Sequence, residues 1–342
     1  MAVPDSLAAW RTFVERKFVE PVPMSMAGLE ALDPAMRAEY DQTRFAWLGA
    51  DIVLPTHDTE TLQRQAKIIL ARNAALSATA RRGLVITGKP TLGKSTTAML
   101  IGKRHERAMR TKYERFDRGF APVTYVVVPA GTTPKMLMLS FANFLGLIPR
   151  SRATAQDLAN QVIAVLRDLR TSLVIVDEVH NLRTSRSAGA EAASSLKGFS
   201  ERLDATFIYA GIDLLDSDLF QDDEIGTQMK GRMIVHEVSP FGFATQSQRD
   251  AWVDIVLACE NLLPLANHLN GRLEGQSRYL WDRTGGSIGA LRALLTDAAI
   301  AAIQSGSEQV TCSLLESIRT YQQAEEFVPP TAAKSPPGKR TR

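Results

Sequence analysis

Residues Gly83 to Thr97 read GLVITGKPTLGKSTT, and this stretch restricts the possible folds more than any other. Leu84, Val85 and Ile86 form a short apolar strand, Gly88 follows, and after four residues Gly93-Lys94-Ser95 opens a helix. The spacing is G-x-x-x-x-G-K-S, the phosphate-binding loop. A polyphosphate must be wrapped by backbone N–H groups, and glycines allow the backbone to come close enough. Lys94 then reaches the β- and γ-phosphates, Ser95 offers its hydroxyl to Mg²⁺, and the helix N-terminus faces the anion with its positive dipole end. The plain alternative is a glycine-bearing turn between an unrelated strand and helix. The strand before and the helix after favour a nucleotide site with Mg²⁺, built from Gly88, Lys89, Pro90, Thr91, Leu92, Gly93, Lys94, Ser95 and Thr96.

A second landmark lies downstream, Leu173-Val-Ile-Val176-Asp177-Glu178-Val-His180-Asn181. Four consecutive apolar residues predict a buried parallel strand, and its C-terminal edge, where open α/β sheets place ligands, carries two adjacent carboxylates. Asp177 is predicted to hold the Mg²⁺ shell together with Ser95, and Glu178 to polarise an attacking water. Further strands are predicted at Val123–Val128, at Ala205 to Gly211 and at Met233–Val238. Arg232 stands immediately before the last of these, placed to reach a neighbouring subunit's γ-phosphate. The strand at Ala205 ends on Gly211 rather than on the polar residue that would sense the γ-phosphate.

At 342 residues the chain has length for about two domains and a large α/β core. The net charge of +3 gives no global polybasic character, so any nucleic-acid argument rests on local clusters. One such cluster is Lys103, Arg104, Arg107, Arg110, Lys112, Arg115 and Arg118, diluted by Glu106, Glu114 and Asp117. It reads equally as a solvated helix face and as a phosphate-backbone contact. Arg183 and Arg186, in a polar loop, carry the same two readings. Cys259 and Cys312 lack metal-ligand spacing and suit a reduced, cytoplasmic protein. Neither a signal peptide nor an uninterrupted apolar run of membrane length is present, so no membrane partner is expected.

Trp10, Phe13, Val14 and Phe18 recur at helical spacing, a stripe that packs on its own domain or docks on a partner, and a second helix spans Pro34 to Leu48. An extended segment with Ile52, Val53 and His57 precedes a helix capped by Thr56 or Asp58. Thr133 caps a helix that starts with Pro134 and Lys135, a second N-terminus able to accept a phosphate. From Gln246 the pattern is helical, with Thr284-Gly-Gly286-Ser-Ile-Gly289-Ala-Leu-Arg292 opening a long apolar helix. The expected division is an N-terminal helical extension at 1–50, a nucleotide-binding core at 51–245, a helical lid at 246–328 and a disordered basic tail at 329–342.

GKPTLGKST and LVIVDE stand as Walker A and Walker B motifs, followed by Arg232 and by a helical segment starting TGGSIGALR. In this order they make the chain resemble an AAA+ ATPase. Within that superfamily, the Asp177-Glu178-Val-His180-Asn181 continuation, the segment QMKGRMIVHEVSPF and the lid helix resemble the TniB/TnsC-type transposition regulators. The resemblance implies a P-loop NTPase αβα sandwich with a parallel sheet and a small α-helical lid. It further implies an ATPase whose ATP binds between subunits of a homo-oligomer, a ring or helical filament on double-stranded DNA without base specificity. Such an assembly recruits and activates a DDE transposase, selects target DNA and works with a target-selector protein. Lys94, Ser95, Asp177 and Glu178 fall on the Walker positions, Arg232 on the arginine finger and Arg292 near a second sensor. Lys103, Arg104, Thr133, Lys135, Arg183 and Arg186 are the candidate DNA contacts. Two other readings share the motifs: a helicase loader or insertion-sequence helper ATPase, and a nucleotide-gated protein-interaction switch that binds no DNA.

Overall fold

The computed structural model describes residues 3–76, 81–113, 119–183, 188–216, 219–220 and 231–319. The basic tail expected at 329–342, like Arg186, Arg115 and Arg118, lies outside the described residues. In chain order the helices are α1 (Leu7–Glu15), α2 (Met26–Glu30), α3 (Pro34–Leu48), α4 (His57–Ala74), α5 (Lys94–Lys112) and α6 (Pro134–Phe144). They continue with α7 (Ala155–Asp168), α8 (Ala188–Glu201), α9 (Gln246–Glu260), α10 (Ser277–Thr284), α11 (Ile288–Ser305) and α12 (Cys312–Ser317). Hydroxyls start most of them as the sequence predicts. Thr56 caps α4 in a reciprocal box with Thr59, Thr133 caps α6 with Pro134 in the first turn, and Thr311 caps α12.

The chain divides into two compact units, Met1–Phe18 with Asp51–Ser239, and Val19–Ala50 with Pro240–Arg342. The first is built on five parallel strands, β1 (Gly83–Gly88), β2 (Val123–Val127), β3 (Leu173–Asp177), β4 (Thr206–Ala210) and β5 (Met233–Val238). They are ordered β2-β3-β4-β1-β5. β1, β3 and β4 are buried at every position, which is why they read as unbroken apolar runs rather than alternating ones. β5, at the edge, is half-exposed. From β1 the chain passes through α5 to β2, three places along the sheet, then steps back through α6 and α7 to β3 and through α8 to β4. Right-handed crossovers in opposite directions put α5 on one face and α6 to α8 on the other. The packing follows: α5 lies on the sheet beside α1 and α4, while α6 packs against α7 and α8. This is the αβα sandwich expected from the motifs, with a helical C-terminal region.

The second unit explains why the first fifty residues do not form one extension. Trp10 and Val14 of α1 belong to the core of the first unit, whereas α3 packs Leu48 against Ala299 and Ile303 of α11. Arg44, fully buried, donates to Glu308 at 2.7 Å and to the Pro264 carbonyl at 3.2 Å, and Arg37 donates to the same carboxylate at 2.7 Å. A buried charge needs such partners, and they tie residues 34–48 to the helical unit. Among the described residues, α11 has the length and apolarity to cross a membrane. Its Leu291, Leu294, Leu295, Ala298 and Ala302 are buried within this unit's own packing.

Candidate nucleotide site

The loop after β1 takes the conformation that its glycines permit. Gly88 sits at φ 142, and a Cβ there would lie 2.3 Å from the Val238 carbonyl oxygen of the paired edge strand. Gly93, at φ 82, occupies the N-cap of α5, and no side chain caps that helix. Its first N–H groups are thus presented to the loop rather than to a hydroxyl. Thr91 also has positive φ, at 61. Lys89, Pro90 and Thr91 are exposed, Ser95 and Thr96 half-buried, and Leu92 is sunk into the core. Lys94 is buried and donates its Nζ to the Lys89 carbonyl across the loop. Burial pulls its pKa below the ordinary lysine value, while Glu178, Asp177 and Asp213 oppose that shift, so three carboxylates act on one ammonium.

Asp177 closes β3, is 2% exposed, and both of its oxygens are engaged. Oδ1 accepts from the Glu178 backbone N–H at 2.8 Å, and Oδ2 accepts from the Tyr125 hydroxyl of neighbouring β2 at 2.6 Å. Burial, and then the Asp177 charge, push the Tyr125 pKa upward, so the phenol stays protonated and acts as a donor. Trp10 stacks on the Tyr125 ring, with centroids 5.8 Å apart and planes at 11°, and its Nε1 donates to the Glu106 carboxylate of α5. Trp10, Phe13 and Val14 of the aromatic stripe therefore pack on their own domain. Tyr125 is a functional neighbour that the sequence reading missed, since a tyrosine within a β-branched run signals only a strand. Tyr125→Phe leaves a buried carboxylate oxygen without its donor, an expected cost of about 1.5–3 kcal/mol. Calorimetry should show a thermal midpoint lowered by roughly 2–4 °C per kcal/mol.

Glu178 follows at φ 56, in the left-handed region, and its side chain is 41% exposed. A 3₁₀ turn, Val179–Arg183, comes next and brings His180 Nε2 to 3.3 Å from Glu178 Oε2. Gly211, at the end of β4, donates to the Ile86 carbonyl at 3.1 Å. Thr87 of β1 accepts from Leu214 N–H at 3.0 Å, so the ends of β1 and β4 are tied together next to the loop.

The remaining candidates divide. Arg232 directly precedes β5, is 39% exposed, and lies 4.0 Å from Glu201. Lys103 is turned inward: its Nζ donates to the Phe13 and Arg16 carbonyls at 3.0 and 3.2 Å, and burial lowers its pKa. Half-buried, it caps the C-terminal end of α1. Arg107 likewise donates to the Val14 carbonyl at 2.8 Å. Arg104 is exposed and bonded to Gln63. Thr133 accepts from Met136 N–H at 3.3 Å as the α6 cap, and Lys135 beside it is exposed. Arg183 ends the 3₁₀ turn, and His57 is the first residue of α4. Arg292 belongs to the helical unit, where it donates to the Ala50 carbonyl at 3.2 Å.

These residues fit a polyphosphate. A loop with three positive-φ residues, an uncapped helix N-terminus and a buried lysine form an anion cradle. Among the described residues no cluster of three or more His, Cys, Asp or Glu side chains is arranged for a metal ion. The donor set here, the Ser95 hydroxyl and one Asp177 carboxylate, instead suits Mg²⁺, which takes one or two protein oxygens and completes its shell with phosphate and water.

A family model described as bacterial TniB protein matches residues 56–241. No curated protein matches the chain. Among solved structures, the Aeropyrum pernix ORC2 protein in its ADP form is similar at a TM-score of 0.58 and 18% identity, covering 79% of this chain and 70% of that one. The Aeropyrum pernix ORC1 protein in complex with DNA is similar at 0.56 and 18%, covering 80% and 68%. Cdc6p from Pyrobaculum aerophilum is similar at 0.54 and 16%, covering 78% and 67%. At these identities the likeness is one of fold, the AAA+ P-loop NTPase architecture with helices on both faces of a five-stranded parallel sheet.

Proposed function

The chain belongs to the TniB family, and on that premise we propose that it is an ATP-dependent, DNA-binding regulator of transposition. In this reading it assembles on double-stranded DNA with ATP, selects target DNA and activates a DDE transposase. One observation carries the nucleotide half. The loop of Gly88 to Thr96 and the Asp177-Glu178 pair stand at the carboxyl ends of β1 and β3, and Lys94 feels both carboxylates. That edge is where open α/β sheets bind ligands.

Lys94 supplies a fixed positive charge to the β- and γ-phosphates, and the backbone N–H groups of Gly93 to Thr96 hold phosphate oxygens. Ser95 and Asp177 would hold Mg²⁺, which when bound would offset phosphate charge. Glu178 accepts a proton from a water that attacks the γ-phosphorus; the Pγ–O bond to ADP breaks, and ADP and phosphate leave. Arg232, exposed beside the edge strand, is offered to a neighbouring copy's γ-phosphate. Arg104 and Lys135 are the exposed cations assigned to the DNA backbone, a role without base specificity.

Fluorescence anisotropy of a random duplex tests the DNA half. ATP, or an analogue that resists hydrolysis, should tighten duplex binding, and log affinity should fall with log salt at about −0.9 per neutralised phosphate. Equal affinity with and without nucleotide would overturn the transposition reading, and no duplex binding in either condition would favour the protein-interaction switch. A flat salt dependence would remove Arg104 and Lys135 from the interface.

A further inference from the structure

In the strand next to β3, the residue level with Asp177 is Val127, and Val128 and Pro129 follow, none of which carries a polar side chain. On the other side β4 ends on Gly211, which has no side chain. The one side-chain contact to the Glu178 carboxylate that the described residues show comes from its own turn, at His180 Nε2, 3.3 Å away.

The imidazole's second nitrogen fixes its tautomer. His180 Nδ1 lies 3.3 Å from the backbone nitrogen of Ile212. A backbone N–H can only donate, so Nδ1 is the acceptor and carries no proton. In the neutral ring the proton is then on Nε2, aimed at Glu178 Oε2. Gly211 permits this approach. A Cβ at position 211 would stand 3.2 Å from His180 Nδ1, 3.3 Å from its backbone nitrogen and 2.8 Å from Leu214 Cδ2. The bare end of β4 is therefore the space into which the imidazole packs.

The same segment is anchored to the strand that feeds the phosphate-binding loop, through Gly211 N–H to Ile86 and Leu214 N–H to Thr87. We propose that His180 is the positioning residue for Glu178. Its Nε2–H holds one carboxylate oxygen, leaves the other for the water, and couples the carboxylate to the backbone at Ile212 and so to the end of β1. Its ring occupies the space that a side chain at position 211 would take. The proposal rests on the hydrolytic reading of this site.

ATP turnover by the full chain tests it, with wild type, His180→Ala, His180→Leu, His180→Gln and Glu178→Gln compared. A misplaced base lowers the chemical step rather than binding, so His180→Ala and His180→Leu should reduce kcat roughly 10- to 100-fold while KM for ATP stays within about twofold. His180→Gln, whose amide nitrogen can replace Nε2 as the donor, should recover much of the loss. In a Glu178→Gln background, His180→Ala should add almost nothing, because the two act as one unit. Equal kcat in wild type and His180→Ala, or a full additional loss in the Glu178→Gln background, would overturn the proposal. If His180→Ala does not fold, the Gln and Leu variants decide: a Gln rate well above Leu supports it and equal rates overturn it. Absence of turnover in wild type would instead overturn the hydrolytic reading itself, and this one with it.

Discussion

Lys94→Ala is expected to lower ATP affinity by about 10²- to 10³-fold, as a lysine–phosphate pair a few ångströms apart contributes several kcal/mol at protein-like dielectric. ATP-dependent assembly on DNA should be lost with it. The variant should fold: burial of the Lys94 ammonium carries a desolvation cost that its removal relieves, and this opposes the loss of its attraction to Glu178, Asp177 and Asp213. Titration with a fluorescent nucleotide, together with a melting curve, separates the two effects. An unchanged midpoint with lost binding is the expected result. Filament or ring formation by Lys94→Ala in ATP would place the nucleotide elsewhere.

Glu178→Gln should do the reverse. The amide keeps the size of the side chain but cannot accept the water's proton, and removal of a general base costs about 10²- to 10⁴-fold in turnover. ATP binding should persist, because Lys94 and the loop backbone are untouched, and assemblies on DNA should outlast those of wild type. Phosphate release measures the first effect and dissociation after dilution the second. Wild-type turnover in Glu178→Gln would assign the base to another residue.

The parts of this site that are legible in sequence are those made by neighbours along the chain. Gly88 to Ser95 and Leu173 to Glu178 state strand, turn and chemistry within a few residues, and the structure forms β1, α5 and β3 where they predict them. The supports of the site come from far apart in sequence: Tyr125 reaches Asp177 from 52 residues away, and His180 meets Ile212 across 32. No local pattern marks such pairs. Charge counting had a related blind spot. The run from Lys103 is basic as a string, yet Lys103 and Arg107 donate to the carbonyls that end α1, contacts that helix periodicity does not reveal. The division of residues 1–50 is of the same kind, since Trp10 and Arg44 find burial in different units.

The place of Trp10 has an optical consequence. The chain has four tryptophans, and Trp47, Trp252 and Trp281 all fall in the helical unit. The nucleotide-binding unit thus carries a single indole, buried and stacked on the ring whose hydroxyl holds Asp177. With the other three replaced by phenylalanine, emission from Trp10 becomes an intrinsic spectroscopic label of that unit, one aromatic contact and one hydrogen bond from the carboxylate, with no dye attached.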